Sequence, residues 1–257
     1  MSTRISNAAQ RRFGAAVEPP ANLPHLDALA ALNERSVCRR YRKAPVPEEI
    51  VRLLYATALS APTKSDLQQA TIMRVADPAK RAAICALLPG SPWLGDAPEL
   101  FVFCADGWRM RRLFARREKP FANEHLDAFF NATVDAAIVL GAFVSAAELA
   151  GLGTCPISQV RDHVAKIDEL LALPDWVVPV AGLALGYPEA KEPLSARLAL
   201  SATVHTDRYD TAAVERELDA YDARRGRDWS GDKVKQYSTA WRADFGAFVA
   251  RKRFVLR

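Results

Sequence analysis

Residues that form disulfides or bind metals are scarce in this chain, and the few present are scattered. The 257 residues include four cysteines and four histidines. No two cysteines form a CxxC pair, and no histidine has the spacing of a metal ligand. These absences argue against a disulfide framework and a zinc site. We therefore expect reduced thiols, a cytoplasmic location and no metal centre. The cysteines are Cys38, Cys85, Cys104 and Cys155.

The chain also lacks a strong excess of charge of either sign. Lys and Arg number 35, Asp and Glu number 30, and the net charge is +5. Such a small positive excess suits a protein that handles anionic small molecules. The basic residues are dispersed and no aromatic-rich binding signature accompanies them, so we expect no nucleic-acid partner.

No long, purely apolar run is present. The most apolar stretch, residues 132–150, contains Asp135 and Glu148. This composition favours a buried helix of a soluble protein over a membrane span. The N-terminal residues include three arginines but no apolar segment of the kind that a secretory signal needs. We expect no membrane partner and no secretory signal.

Hydrophobic periodicity predicts strands that alternate irregularly with helices. Helices are expected over residues 28–34, 48–59, 78–88, 108–119, 127–150 and 161–171, with a helical, Arg-rich tail from residue 211. Strands are expected over residues 70–75, 100–105, 154–157 and 177–185. Residues 1–27 are small, polar and rich in proline, which predicts a mobile or draping extension. No GxGxxG motif follows a strand, so we predict an α+β fold with a central mixed sheet surrounded by helices.

A basic segment between two predicted helices is a candidate phosphate site. Arg35, Ser36 and Arg39 offer guanidinium groups and a hydroxyl, which together bind a phosphate monoester well. A solvated basic turn is the alternative interpretation. Arg197 could reach the same phosphate from far along the sequence.

A polar loop near residue 65 is a second candidate. Its amide and hydroxyl groups suit the edge of a heterocycle, although an ordinary loop has the same composition. The residues concerned are Thr63, Lys64, Ser65, Asp66 and Gln68.

Six blocks of sequence together resemble the nitroreductase family. They are ERSVCRRYRKAPVP, SAPTKSDLQQATIMRV, LFVFCAD, AAELAGLGTCPISQVRD, LLALPDWVVPVAGLALGYP and ARLALSATVHTDRYD. Their order and spacing are most similar to the branch of NADPH-dependent, oxygen-insensitive nitroreductases and flavin reductases. The resemblance implies an α+β homodimer that holds FMN non-covalently in a groove made by both subunits. It divides the chain into an N-terminal extension (1–27), an FMN-binding domain (28–210) and a helical C-terminal extension (211–257).

The resemblance also implies an activity. NAD(P)H would pass a hydride to N5 of the flavin, and a small acceptor such as a nitroaromatic, a quinone or a free flavin would then be reduced. The flavin carries this chemistry, so no catalytic side chain is expected. Part of the apolar helix 127–150 is expected to pack against the second subunit.

The resemblance assigns roles to the candidate residues by position. Arg35, Ser36 and Arg39 resemble the family's phosphate-binding Arg-Ser-x-Arg, with one extra residue that leaves Arg39 and Arg40 as alternatives. Arg197 resembles the late arginine that returns to the phosphate. The polar loop is expected to line the flavin, because Gln68 resembles the glutamine that contacts the ribityl chain or the ring edge.

Several positions depart from the family's pattern. Glu34 stands where a histidine is common, and Ser195 replaces a lysine. Ser158 and Gln159, expected to line the flavin, replace two glycines that let the backbone approach its ring. These departures keep two alternatives open: a flavin carrier or sensor with little turnover, and a specialised flavoenzyme of the same fold.

A cluster of arginines near the C-terminus is a candidate NADPH site. Arg224, Arg225 and Arg227 lie where this branch carries an Arg-bearing segment linked to NADPH. A guanidinium group would bind the 2′-phosphate of that dinucleotide. A solvated helix with alternating charges is the alternative.

Overall fold

The computed structural model describes residues 2–257, so Met1 of the predicted N-terminal extension lies outside the described part. The strands are β1 (Ala70–Arg74), β2 (Glu99–Asp106), β3 (Gly153–Ile157) and β4 (Val177–Gly186). The helices are α1 (Ser2–Phe13), α2 (Leu26–Asn33), α3 (Glu48–Leu59), α4 (Pro78–Ala86), α5 (Trp108–Arg116), α6 (Leu126–Leu149), α7 (Val164–Leu171), α8 (Leu200–Thr203), α9 (Thr211–Arg225), α10 (Trp229–Tyr237) and α11 (Phe245–Arg251).

The sheet has the order β1-β2-β4-β3, and each neighbouring pair is antiparallel. The α+β class is therefore confirmed, whereas the prediction of a mixed sheet is wrong for the described residues. That prediction relied on the alternation of strands with helices, which is typical of parallel crossovers. Here the connection from β1 to β2 contains α4 and a short 3-10 helix, and it brings the chain back beside β1 in the opposite direction.

Strand β2 is the centre of the core. All eight of its residues are buried: the six apolar residues 100–105, as predicted, and the acids Glu99 and Asp106 at its ends. The rings of Phe101 and Phe103 lie 5.2 and 5.6 Å from the ring of Phe143 on α6. At the end of β4, a Cβ atom on Gly186 would lie 2.3 Å from Pro98, so only glycine allows this close approach.

The chain forms two compact units, each assembled from two segments. The first unit consists of Met1–Ser36 and Lys191–Trp241, and the second of Val37–Ala190 and Arg242–Arg257. The sheet and helices α3 to α7 lie in the second unit. The predicted division at residues 27/28 and 210/211 follows a family resemblance rather than packing, and it stays a prediction.

Residues 2–13 form a regular helix that the sequence pattern did not predict. One face of this helix is buried and carries Ile5, Ala8, Ala9 and Arg12. These residues have helical spacing, but alanine is weakly apolar and arginine is charged. The buried face therefore differs little in hydrophobicity from the polar residues around it, and the sequence gives only a weak helical pattern.

Helix α5 is rich in arginine, and one of its arginines is buried. Arg111 is only 8% exposed and forms an ion pair with Glu124 at 2.5 Å. Its guanidinium group also lies 4.4 Å from the centre of the Phe121 ring and 5.4 Å from that of Phe254. Aromatic faces and a carboxylate thus compensate the charge that burial removes from water.

The last segment of the chain completes the core of the second unit. Lys252 is buried, and its Nζ donates to Asp168 and to the carbonyl of Leu173, both at 2.8 Å. Phe254 packs in a cluster with Val164 and Val178.

Candidate functional site

A cleft of about 770 Å³ in the first unit brings together arginines that lie far apart in the sequence. Arg35 follows α2, and Arg197 lies in the segment before α8. Both line this cleft, as the sequence analysis expected of a phosphate site. The structure adds Arg12 from α1 and Arg225 from α9 to the lining.

Arg12 holds the backbone on both sides of the cleft. Its Nε donates to the carbonyl of Asn33 at 2.8 Å, and its Nη2 donates to that of Arg35. In the other direction, the backbone N–H of Arg197 donates to the carbonyl of Arg12 at 2.6 Å. Burial, and then the charges of Arg197 and Arg35, lower the pKa of Arg12. The cleft therefore concentrates positive charge and suits an anion.

The remaining residues of the basic segment do not line this cleft. Ser36 is half-buried and is the last residue of the first segment of the first unit. Arg39 and Arg40 are exposed and belong to the second unit. The guanidinium group of Arg39 lies 5.9 Å from the centre of the Trp93 ring. The choice between Arg39 and Arg40 stays open.

Glu34, the acid beside the basic segment, has its charge compensated within the first unit. Its carboxylate accepts from Arg4 at 2.7 Å and from Lys191 at 3.1 Å. The hydrogen bond from Arg4 is the main cause that lowers the pKa of Glu34 to about 2. The carboxylate is thus ionised and paired at neutral pH.

The polar loop of the second unit lies over a pocket of about 280 Å³. Thr63 and Gln68 line this pocket, whereas Lys64 and Ser65 are exposed on the loop. The pocket also contains Asp135 of α6 and Arg109 of α5, neither of which the sequence analysis assigned to a site.

Asp135 is 1% exposed, and its hydrogen bonds hold the polar loop in place. Its carboxylate accepts from the hydroxyl of Thr63 and from the backbone N–H groups of Lys64 and Gln69, the latter two at 3.1 Å. The Thr63 hydroxyl also accepts from the backbone N–H of Gln68 at 2.9 Å. An acid in the middle of an apolar helix was the signal that could have identified this residue.

Three residues of the loop have left-handed backbone conformations that favour glycine. The φ angles of Ser65, Asp66 and Gln68 are 50°, 56° and 51°. Each such conformation costs about 1–2 kcal/mol for a residue with a side chain. Arg109 helps to hold them, because its Nη1 donates to the carbonyl of Gln68 and its Nη2 to that of Ala70 at 2.6 Å. Backbone strain held by surrounding contacts is typical of functional sites.

The two residues that replace the family's glycines are engaged by other side chains of the second unit. Ser158 Oγ accepts from Arg242 at 3.2 Å, and Gln159 Oε1 accepts from the hydroxyl of Ser91 at 2.5 Å. Neither residue lines the pocket under the polar loop. Their predicted contact with a flavin stays a prediction.

The three arginines near the C-terminus differ in their surroundings. Arg224 pairs with buried Glu217, which raises the pKa of Arg224, and it also donates to the carbonyl of Arg197 at 2.7 Å. Arg225 donates to the Tyr221 hydroxyl at 2.8 Å. Arg227 is exposed. All three line an open groove of about 520 Å³ in the first unit. The three arginines thus line one groove, but Arg224 and Arg225 also form hydrogen bonds with other residues of the first unit.

Helix α6 exposes a continuous apolar stripe. Leu126, Phe130, Val134 and Ile138 are 49, 61, 37 and 36% exposed, and they follow one another at intervals of four residues. Residues at this spacing lie on one face of a helix. The helix is also long and apolar enough to cross a membrane, criteria that the core helix of a soluble protein meets as well.

Within residues 2–257, no group of three or more His, Cys, Asp or Glu side chains could hold a metal ion.

The buried cysteines are Cys38, Cys104 and Cys155. Burial raises the pKa of the Cys38 thiol, which disfavours the reactive thiolate.

Comparison with known proteins identifies the family. The model of the nitroreductase family matches residues 32–187. An FMN reductase [NAD(P)H] of Bacillus subtilis is 32% identical over 199 residues, which cover 76% of this chain and 80% of that protein. The oxygen-insensitive NADPH nitroreductase of Salmonella typhimurium is 31% identical, over 77% of this chain and 85% of that protein.

A solved structure agrees with this match. The hypothetical oxidoreductase YcnD from Bacillus subtilis superposes with a TM-score of 0.85 and 28% sequence identity. The alignment covers 90% of this chain and 99% of that one. The family match covers more than half of the chain, and the fold agrees with it. This chain belongs to the nitroreductase family.

Proposed function

We propose that this chain is an FMN-dependent NAD(P)H oxidoreductase that reduces small acceptors such as nitroaromatics, quinones or flavins. The observation that carries the proposal is the cleft where Arg35 and Arg197 meet in the first unit. Relatives named as an FMN reductase and an NADPH nitroreductase support the same activity.

The residues present fit the phosphate end of FMN. A phosphate monoester is a dianion at neutral pH and forms charge-assisted hydrogen bonds with guanidinium groups. Arg35 and Arg197 would hold it in the cleft of the first unit. Ser36 follows Arg35 in the chain but lies outside the cleft lining, so its contact with the phosphate stays a prediction. Arg12, which lines the same cleft, adds a third positive charge that a bound anion would neutralise.

In the second unit, the polar loop would offer hydrogen bonds to the edge of the isoalloxazine ring. Thr63 and Gln68 line its pocket, and the contacts of Asp135 keep the loop in a single conformation. FMN, when bound, would supply the redox chemistry of the proposed reaction, which is hydride transfer from NAD(P)H to the acceptor through N5. The chain's own task is to bind and orient, so we assign no catalytic acid or base.

A homodimer is part of the proposal. The exposed stripe on α6 is apolar over several helical turns, and such a surface favours burial against a second copy of the chain. A cytoplasmic location fits the reduced state expected of the four cysteines.

The visible spectrum of the purified protein, recorded before and after anaerobic addition of NADPH, tests this function. We expect flavin bands near roughly 370 and 450 nm that bleach within seconds. Bands that persist would favour a flavin carrier, a sensor or an enzyme with another reductant. Replacement of both Arg35 and Arg197 by Gln should remove the bands, whereas the exposed-site control Arg216→Gln should keep them. A colourless wild-type protein that takes up no added FMN would contradict the proposal.

A further inference from the structure

Helix α1 contributes an arginine to the phosphate cleft from outside the part of the chain that matches the family. The match begins at residue 32, whereas Arg12 lies in the last turn of a helix that ends at Phe13. Arg12 is 8% exposed and lines the cleft with Arg35 and Arg197. Burial of a long charged side chain at this position needs a reason, because it is costly without compensation.

The polar contacts of Arg12 are with the backbone segments that carry the two other arginines. It donates to the carbonyls of Asn33, at 2.8 Å, and Arg35. A longer contact, 3.4 Å, joins its Nη1 to the carbonyl of Ser195. In addition, the N–H of Arg197 donates to the carbonyl of Arg12 at 2.6 Å. Arg12 therefore fixes the spacing of Arg35 and Arg197.

Carboxylates of the same unit are engaged with other cations. Glu34 accepts from Arg4, also on α1, and from Lys191. Glu217 is paired with Arg224. Burial, and then the charges of Arg197 and Arg35, lower the pKa of Arg12. The three guanidinium groups carry like charges on one cleft and therefore repel one another. A bound dianion would turn this repulsion into attraction.

We propose that Arg12 is a positioning residue for the phosphate of the flavin, and that α1 thereby gives the site its preference for a phosphorylated flavin. The proposal rests on the function proposed above. Arg12 acts in two ways: it adds a positive charge to the cleft, and it ties the segments of Arg35 and Arg197 together. It also supplies charge close to Ser195, where the family resemblance expects a lysine.

Flavin binding by the full-length chain tests this role. The dissociation constants of FMN and of riboflavin, which lacks the phosphate, are measured for the flavin-free wild type, Arg12→Gln, Arg12→Lys and the control Arg216→Gln. We expect Arg12→Gln to weaken FMN binding roughly tenfold or more, as the loss of a charge-assisted site does. Riboflavin binding should change less than twofold, and Arg12→Lys should recover part of the preference for FMN. The control should resemble the wild type.

The possible results separate the two proposals. If the wild type binds neither flavin, the proposed function fails, and the role of Arg12 fails with it. If the wild type prefers FMN and Arg12→Gln keeps the same preference, only the role of Arg12 is overturned. An equal loss of both flavins would show a merely structural role and would also overturn it. Should Arg12→Gln fail to fold, Arg12→Lys decides the matter, because lysine keeps the charge but lacks the guanidinium group that joins the two segments. A reduced preference for FMN then supports the positioning role, and an unchanged preference overturns it.

Discussion

The carboxylate of Asp135, in the middle of α6, accepts a hydrogen bond from the hydroxyl of Thr63 at the start of the polar loop. The same carboxylate accepts from the backbone N–H of Gln69 at the other end of that loop, at 3.1 Å. One buried side chain therefore fixes both ends of a segment that contains three left-handed residues. The polar groups of the loop are thus held in place before any ligand binds.

Replacement of Asp135 by Asn should weaken the loop and its site together. The amide has one acceptor oxygen where the carboxylate has two, so at least one buried N–H donor loses its partner. We expect a loss of about 1–3 kcal/mol in the free energy of unfolding, together with weaker FMN binding. Chemical denaturation and flavin titration measure the two effects. Asp219→Asn, at an exposed position of α9, is the control and should change neither.

The stability of the first unit should depend on Glu34 in mildly acidic solution. Because the hydrogen bond from Arg4 lowers the pKa of Glu34 from 4.5 to about 2, folding favours the ionised carboxylate. The stabilisation is complete above about pH 4.5, declines as the pH falls and is lost below about pH 2. The difference in unfolding free energy between the wild type and Glu34→Gln should shrink over this interval. A difference that stays constant from pH 6 to pH 2 would contradict the assignment.

NADPH selectivity should respond more specifically to Arg227 than to its neighbours. Arg224 and Arg225 have structural partners, so their replacement should also lower stability, whereas Arg227 is exposed on the same groove. We expect Arg227→Ala to raise KM for NADPH by about 3–10-fold, the scale of one exposed charge-assisted contact, and to spare NADH. Steady-state kinetics with both dinucleotides measures this change. Arg216→Ala, also an exposed arginine, should leave both values unchanged, and equal effects of Arg227→Ala on both dinucleotides would defeat the prediction.

A charge placed on the α6 stripe should prevent the proposed dimer. Val134 lies in the middle of the stripe, and Val134→Glu would bury a carboxylate if two copies packed there. We expect the variant to sediment as a monomer while the wild type sediments as a dimer. Leu113→Glu, at an exposed apolar position of α5, is the control and should stay dimeric. A monomeric wild type would contradict the dimer itself.

Most elements of the second unit were predictable because their apolar and polar residues differ strongly in hydrophobicity and follow a clear pattern. Residues 48–59 alternate apolar and polar side chains with helical periodicity and form α3 with the predicted bounds. The apolar run 100–105 forms the central six residues of β2, which is buried throughout. The direction of strand pairing was not predictable in this way, because it depends on the path of each connection.

The site was only partly predictable for a similar reason. The convergence of Arg35 and Arg197 was expected from the family resemblance, and both line the cleft. The roles of Arg12, Arg109 and Asp135 depend on tertiary contacts between distant segments. Local composition describes Arg109 as one member of a basic surface run and Asp135 as an interruption of an apolar helix. The hydrogen-bond partners of these two residues lie on distant segments and cannot be deduced from their neighbours in the sequence.

The assembly of each unit from two distant segments has a consequence for folding during synthesis. A nascent chain that has reached residue 190 contains Arg35 but lacks Lys191–Trp241, the other segment of the first unit. It also lacks Lys252 and Phe254, which complete the core around Val164 and Val178. At a synthesis rate of about 5–20 residues per second on a ribosome, several seconds pass before the second segment of each unit has been made. Because the N–H of Arg197 donates to the carbonyl of Arg12, the contact of α1 with its unit's second segment forms only after the whole sheet has been synthesised.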